Sequence, residues 1–206
     1  MQIKVDIREH TLIKLLNALN NDYGFNFDIS VEILDLGDIS IWNEGEELLL
    51  LERKKLTDLA SSIKDGRYAE QSYRLNGHSL HNHNIVYLIE GNISTFSGKW
   101  SKIKPGTLYT TMFSIQYFKG FSMIRTFDIT ETAEYILRVC DKLSRSSDKF
   151  GFYHQSFQPK KKNYAQVVHA EKKKNITPEN IGGIILSQIP GISSKTSSAV
   201  IAKHGS

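Results

Sequence analysis

The sequence holds a single cysteine, Cys140, so no internal disulfide can form. That excludes a disulfide-stapled secreted domain and fits a reducing compartment. No apolar run approaches the roughly 20 residues a membrane-spanning helix needs. Leu48–Leu51 is a strand-length run that meets charge at once in Glu52, Arg53 and Lys54. The first ten residues include Asp6 and Glu9 and lack the apolar core of a signal peptide, which points to an intracellular product. No GxxxxGK[ST] phosphate loop is present, so neither a helicase half nor a nucleotide cofactor is expected. There is no repeat of solenoid period.

What is present has the balance of a globular protein, 40% apolar and 23% charged over 206 residues. The net charge of +4 permits a polyanionic partner. Lys160–Lys162 and Lys172–Lys174 concentrate that charge late in the chain, as either a nucleic-acid patch or a solvated linker. Cys140 sits on the stripe Ala133, Ile136, Leu137, Cys140, Leu143, whose helical spacing predicts a buried thiol rather than a nucleophile.

Alternation at Ile3, Val5 and Ile7 predicts a strand, and Leu12, Leu15, Leu16 and Leu19 a helix. Ile29–Ile33, then Leu36 with Ile39–Ile41, predict two more strands, and Leu48–Lys54 a fourth after the polar hairpin loop 43–47. Helices are expected from Leu56 to a break at Asp65-Gly66, over Arg67–Leu75, over Leu108–Phe118 and over Thr130–Leu143. Ile85–Ile89 and Phe121–Phe127 complete the strands. The alternation predicts an α/β sandwich, with a mixed sheet because the first three strands are read as joined by short turns. Residues 1–147 form this domain, 148–175 read as a lysine-rich linker, and 176–206 as a short helical appendage opening at Thr177-Pro178-Glu179.

Carboxylates recur at the strand ends: Asp6 and Glu9, Asp38 after Gly37, and Glu52. Side chains alternate along a strand, so Glu52 and Lys54 share a face while Arg53 points away. Mg²⁺ takes oxygen ligands, commonly one or two carboxylates with water and phosphate completing the shell, and a neighbouring lysine stabilises developing charge. Asp38, Glu52 and Lys54 thus form the D…(D/E)-x-K pattern of metal-dependent phosphodiester hydrolysis; a solvated strand end is the plain alternative.

Val5–Glu9, Gly37-Asp38 and Glu52-Arg53-Lys54 with Asp58 together resemble the GD…ERKxxxD signature of the XPF family of nucleases. The stretches from Asp58 to Gln71 and from Val86 to Glu90 resemble its Mus eighty-one branch. The resemblance covers nearly all of residues 1–147. It implies a restriction-nuclease-like fold, Mg²⁺ with Mn²⁺ as substitute, and incision of branched double-stranded DNA at 3′ flaps, forks and nicked four-way junctions. It further implies Asp38, Glu52 and Asp6 as metal ligands, Glu9 completing the acidic cluster, Lys54 as the catalytic lysine, and Arg53 and Asp58 as support. Arg8, Arg67 and Gln71 are implied DNA contacts. Ile189-Pro190-Gly191-Ile192-Ser193 resembles the hairpin of a helix-hairpin-helix element, which implies phosphate contacts by Gly191, Ile192, Ser193 and Lys195. The family carries two such hairpins in tandem and one is read before Ser206, so truncation or a reduced DNA grip is expected.

A dimer through about Leu108–Leu143 is implied too, either of like chains or with an Eme-type inactive subunit, acting at sites of DNA repair and in the nucleus of a eukaryote. A catalytically silent partner subunit, a DNA-binding scaffold and a resolvase of intact four-way junctions stay open. His78, His81 and His83, in a polar loop without cysteine, make a poor zinc site. Trp42 and Trp100 read as packing residues rather than base-stacking ones.

Overall fold

The computed structural model of the chain describes residues 1–99, 101–146, 148–154, 156 and 176–204. They fall into two units, within Met1–Phe157 and within Gln158–Ser206. Trp100 and both lysine triplets lie outside the described residues.

In the first unit the chain runs β1 (Gln2–Asp6), α1 (His10–Asp22), β2 (Asp28–Glu32), β3 (Ile39–Asn43), β4 (Glu46–Lys55), α2 (Leu56–Lys64), α3 (Arg67–Asn76), β5 (Ile85–Glu90), α4 (Pro105–Tyr117), β6 (Ser122–Thr126) and α5 (Ile129–Ser144). The six strands form one sheet in the order β2-β1-β3-β4-β5-β6. The sheet is mixed, as expected, but not for the expected reason. β1 and β2 are parallel and joined through α1, so no short turn links them. The antiparallel pairs are β1 with β3 and β3 with β4. The β3–β4 hairpin turns on Glu44 and Gly45, both at positive φ (50° and 83°), the backbone a two-residue type I′ turn requires.

Alternation on the central strands divides the core between the two faces. Leu51, Val86 and Leu88 pack with Leu12 and Leu16 of α1 and with Ala133, Ile136 and Leu137 of α5. Leu50, Ile85, Tyr87 and Ile89 pack with Leu59 of α2, Leu75 of α3 and Leu108 and Met112 of α4. β5 is buried along its whole length because it is central, parallel and covered on both faces. Cys140 lies in the first of these clusters, and burial pushes its thiol up to about 12, so it is the inert packing residue its stripe predicts.

Asp148–His154, expected in the linker, instead packs on this unit. Tyr153 stacks on His81 with 3.8 Å between ring centroids, and His154 reaches Glu46 at 3.0 Å. The rest of the expected linker lies outside the described residues.

In the second unit, α6 (Ile181–Ser187) and α7 (Ser194–His204) flank the Pro-Gly turn. The Ile192 amide donates to the Ile189 carbonyl at 3.0 Å across Pro190 and Gly191. Gly191 takes φ +89°, which the third position of a type II turn needs and only glycine adopts freely. Ser193 Oγ then accepts from the Thr196 amide at 3.1 Å and caps α7.

Candidate active site

Adjacent strands bring the predicted acids together. β1, β3 and β4 are neighbours, so the end of β1, the start of β3 and the end of β4 meet at one edge. The Asp6 amide donates to the Asp38 carbonyl at 2.8 Å, and the Asp38 amide to the Leu51 carbonyl at 2.9 Å. Gly37 permits this approach. It takes φ +70°, and a Cβ there would stand 2.7 Å from Leu50 Cδ1 and 3.1 Å from the Leu51 carbonyl oxygen. Asp38 Oδ2 then accepts from the Arg53 amide at 2.8 Å.

Glu52 and Lys54 share the other face of β4, with Lys54 Nζ 3.6 Å from Glu52 Oε1. Gln71 of α3 clamps the pair: its side-chain oxygen accepts from Lys54 and its nitrogen donates to Glu52 Oε1. Asp38, Glu52, Gln71 and Arg8 line one cleft of about 450 Å³. Burial raises the Asp38 carboxyl above its usual range, the Glu9 carboxylate adds to this, and the Arg53 amide opposes it. Burial also raises Glu52, the charge of Asp38 adds to that, and Lys54 and Gln71 oppose it. Two buried acids each disfavour the other's ionisation, so the cleft favours a cation between them.

The donor set suits a hard divalent ion. Asp38 Oδ1 and Glu52 Oε2 accept no hydrogen bond from a described residue, while their partner oxygens are engaged. Two carboxylates with open coordination toward a cleft match the way Mg²⁺ is held with water and phosphate. Among the described residues no group of three or more His, Cys, Asp or Glu side chains is placed to hold an ion.

Asp6, expected as a metal ligand, has both carboxylate oxygens engaged by hydrogen bonds. Its Oδ1 accepts from the Arg8 amide (2.9 Å) and Nε (2.6 Å), and its Oδ2 from Arg8 Nη2 (3.1 Å) and the Leu34 amide (3.0 Å). The Arg8 guanidinium holds the Asp6 carboxyl down to about 2. Asp6 therefore fixes Arg8 at the cleft wall instead of opening toward it.

Arg53 does point away from Glu52 and Lys54. Its guanidinium reaches Glu9 Oε2 at 2.9 Å and both oxygens of Glu90, each at 2.9 Å, and Thr132 of α5 donates to Glu90 at 3.2 Å. Asp58 is exposed in the first turn of α2 and contacts none of these groups, so it acts as a favourable helix-start charge rather than as support for the site. Arg67 is exposed and pairs with Asp65 at 2.7 Å, whereas Gln71, one turn on, turns into the cleft. Sequence reasoning passed over Glu90. It follows a buried apolar run just as Glu52 does, and that was the available signal.

The model of the ERCC4 domain matches residues 5–139. The chain belongs to the ERCC4-domain family. Its relatives bear out the resemblance to XPF-type nucleases of the Mus eighty-one branch. The "Probable crossover junction endonuclease mus81" of Dictyostelium discoideum is 30% identical over 213 residues, covering 87% of this chain and 22% of that protein. The human "Structure-specific endonuclease subunit MUS81" is 38% identical over 107 residues, 50% of this chain and 18% of that one. The chain spans about a fifth of the length of the curated relatives it matches. An XPF structure from Aeropyrum pernix aligns over 100% of this chain and 82% of its own at a TM-score of 0.57 and 22% identity, and one in complex with DNA at 0.56. That likeness establishes the ERCC4 nuclease fold, in agreement with the expected restriction-nuclease-like α/β sheet.

The three loop histidines of this ERCC4 domain do not converge. His78 Nδ1 accepts from the Leu80 amide, His81 Nδ1 from the His83 amide, and His83 Nδ1 faces Ser122 Oγ. Each ring is engaged with its own turn or a neighbour. Trp42 is partly buried beneath Lys4, whose Nζ lies 4.7 Å from the ring centre, in a packing role. No helix among the described residues is long and apolar enough to cross a membrane.

Proposed function

We propose that the chain is the nuclease portion of a structure-specific endonuclease that hydrolyses one strand of branched double-stranded DNA near the junction. The observation that carries this reading is the Asp38–Glu52 pair, two acids raised by burial in an open cleft beside Lys54. A merely structural acidic cluster would be ion-paired throughout, as Glu9, Arg53 and Glu90 are on the opposite face.

Asp38 and Glu52 are the proposed holders of Mg²⁺ or Mn²⁺, which when bound acidifies water and neutralises charge growing on the phosphate. Lys54, oriented by Gln71, sets a fixed ammonium beside the reacting phosphate, where a preorganised charge is worth most. Arg8, braced by Asp6 and with a side chain 73% exposed, presents its outer edge to the DNA backbone. Arg53 holds the Asp38 carboxylate through its amide. The Pro190-Gly191 hairpin offers backbone amides and Lys195 to phosphate, a grip without sequence preference.

The active form is proposed to be a dimer. On α4, Tyr109, Phe113 and Tyr117 recur every four residues and are 53–72% exposed, with Phe118 at 73% and Phe127 at 67%. The core side of α4 is buried through Leu108, Met112 and Ile115, so the helix carries a second apolar stripe that its own unit leaves uncovered. Phe121, Ile136, Leu137 and Cys140, in the same region of the chain, lie inside the core. A second copy is the simpler partner and an Eme-type subunit the rival. The proposed setting is the nucleus, at sites of DNA repair.

The test is incubation of the chain with end-labelled 3′-flap, fork, nicked and intact four-way junction DNA, with and without Mg²⁺. Metal-dependent nicking of branched but not linear duplex is expected. Cleavage that persists in Asp38→Asn excludes this site.

A further inference from the structure

The catalytic cleft does not end at the acid pair. A second hollow of about 460 Å³ adjoins it, and the two share Asp35, Leu36 and Arg74 as walls. Tyr73 lines the second hollow but not the first, and is 81% exposed on the surface of α3. Across the first hollow stands Ile33, 82% exposed in the β2–β3 connection. Arg74 joins the two hollows. Its Nη2 donates to the Asp35 carbonyl at 2.9 Å, which fastens the β2–β3 connection to α3, and no described carboxylate pairs with the guanidinium.

Tyr73 sets an uncovered aromatic face at the edge of the cleft, open to a flat partner. The chemistry beside it narrows the choice. The hollow has the volume of a small-ligand pocket, within about 300–1,000 Å³. The free donors of Arg74, with Arg8 beyond, suit a phosphate, and the phenol ring suits a base face. The Asp35 carboxylate lies in the same trough and repels phosphate, which leaves the backbone to the arginine side and the base to Tyr73. A base inside a duplex has both faces stacked and cannot lie flat on this ring.

We infer that this hollow is a subsite for one unpaired nucleotide flanking the scissile phosphate, with Tyr73 as the stacking platform and Arg74 as the phosphate contact. The inference rests on the proposed nuclease reading. It adds a physical source of branch selectivity, because intact linear duplex offers no such base.

The experiment uses the full chain with a 3′-flap DNA carrying 2-aminopurine at the first unpaired position. Its fluorescence is read on binding without metal, and cleavage is read with Mg²⁺. Wild type and Tyr73→Phe are expected to quench the probe and cut alike. Tyr73→Ala is expected to lose the quench and about tenfold in flap cleavage, the scale of one lost stacking contact, with bulk duplex binding retained. Flap cutting with no quench in wild type, or a Tyr73→Ala that quenches and cuts like wild type, overturns the subsite and leaves the nuclease reading standing. Wild type that neither binds nor cuts any branched DNA overturns both. A Tyr73→Ala that loses duplex and flap binding equally makes this ring a general contact and also overturns the subsite.

Discussion

Arg53 and Asp38 meet through the main chain: the Arg53 amide donates to Asp38 Oδ2 at 2.8 Å, while the Arg53 side chain leaves on the opposite face of β4. There the guanidinium, only 8% exposed, joins Glu9 to Glu90. One residue therefore aims an acid of the cleft and ties β4 to α1 and β5. Arg53→Ala would leave two carboxylates facing each other with little solvent. Destabilisation of about 3–5 kcal/mol is expected, read as a shift in urea midpoint. Arg53→Lys cannot make three forked bonds and should recover only part of the loss. A midpoint unchanged in Arg53→Ala would show that the network carries no stability.

Gly37→Ala should damage both stability and cleavage. The new Cβ combines a strained positive φ with a contact at 2.7 Å to Leu50, for about 2–4 kcal/mol. Whatever shift relieves it moves Asp38, the next residue. Thermal melts and nicking assays on the same preparation test the pairing of the two effects.

Asp38→Asn should abolish nicking yet stabilise the metal-free fold at neutral pH. The sign follows from the raised carboxyls. Asp38 goes from 3.8 to about 6 and Glu52 from 4.5 to about 8, so the native state holds more protons than the unfolded chain across that range. The cost of the acids is absent below about pH 4, grows as pH rises, and is complete above about pH 8. The asparagine oxygen still accepts from the Arg53 amide, so the gain is about 1–2 kcal/mol at pH 8 and near zero at pH 4. Asp6 acts oppositely: held down to about 2 by Arg8, it contributes stability above pH 4 that is lost as pH falls. Unfolding curves across pH, with and without Mg²⁺, check both signs; equal stability of Asp38→Asn and wild type at pH 8 would remove the electrostatic argument.

Lys54→Ala should slow single-turnover cleavage by about 10²–10³-fold. Metal affinity should change little, because both carboxylates and the Gln71 clamp on Glu52 remain. Isothermal titration with Mn²⁺ beside quench-flow cleavage separates the two. An unaltered chemical step would make Lys54 structural.

Phe113→Glu with Tyr117→Glu should convert a dimer to monomer without loss of fold, since both rings face outward. Sedimentation velocity at tens of micromolar measures it. A wild type that is strictly monomeric and fully active excludes the pairing requirement.

Much of this was legible from residue order alone. Alternation on Leu48–Lys54 already placed Glu52 and Lys54 on one face and Arg53 on the other, because a strand's period of two leaves no freedom. The Pro190-Gly191 turn and the burial of Cys140 followed equally from local rules. The sequence by itself determined the elements, the acids at their ends and the family. Only the tertiary structure decided which acids share a cleft. Strand order joins β3 to both β1 and β4, and that puts Asp38 beside Glu52 while the short Asp6–Arg8 link consumes Asp6. It also turned Gln71 inward and Arg67 outward and brought Glu90 to Arg53. Gln71 reaches Glu52 across 19 positions and Arg53 reaches Glu9 across 44, and the spacing of charges along a chain carries no information about which distant partner packing will supply.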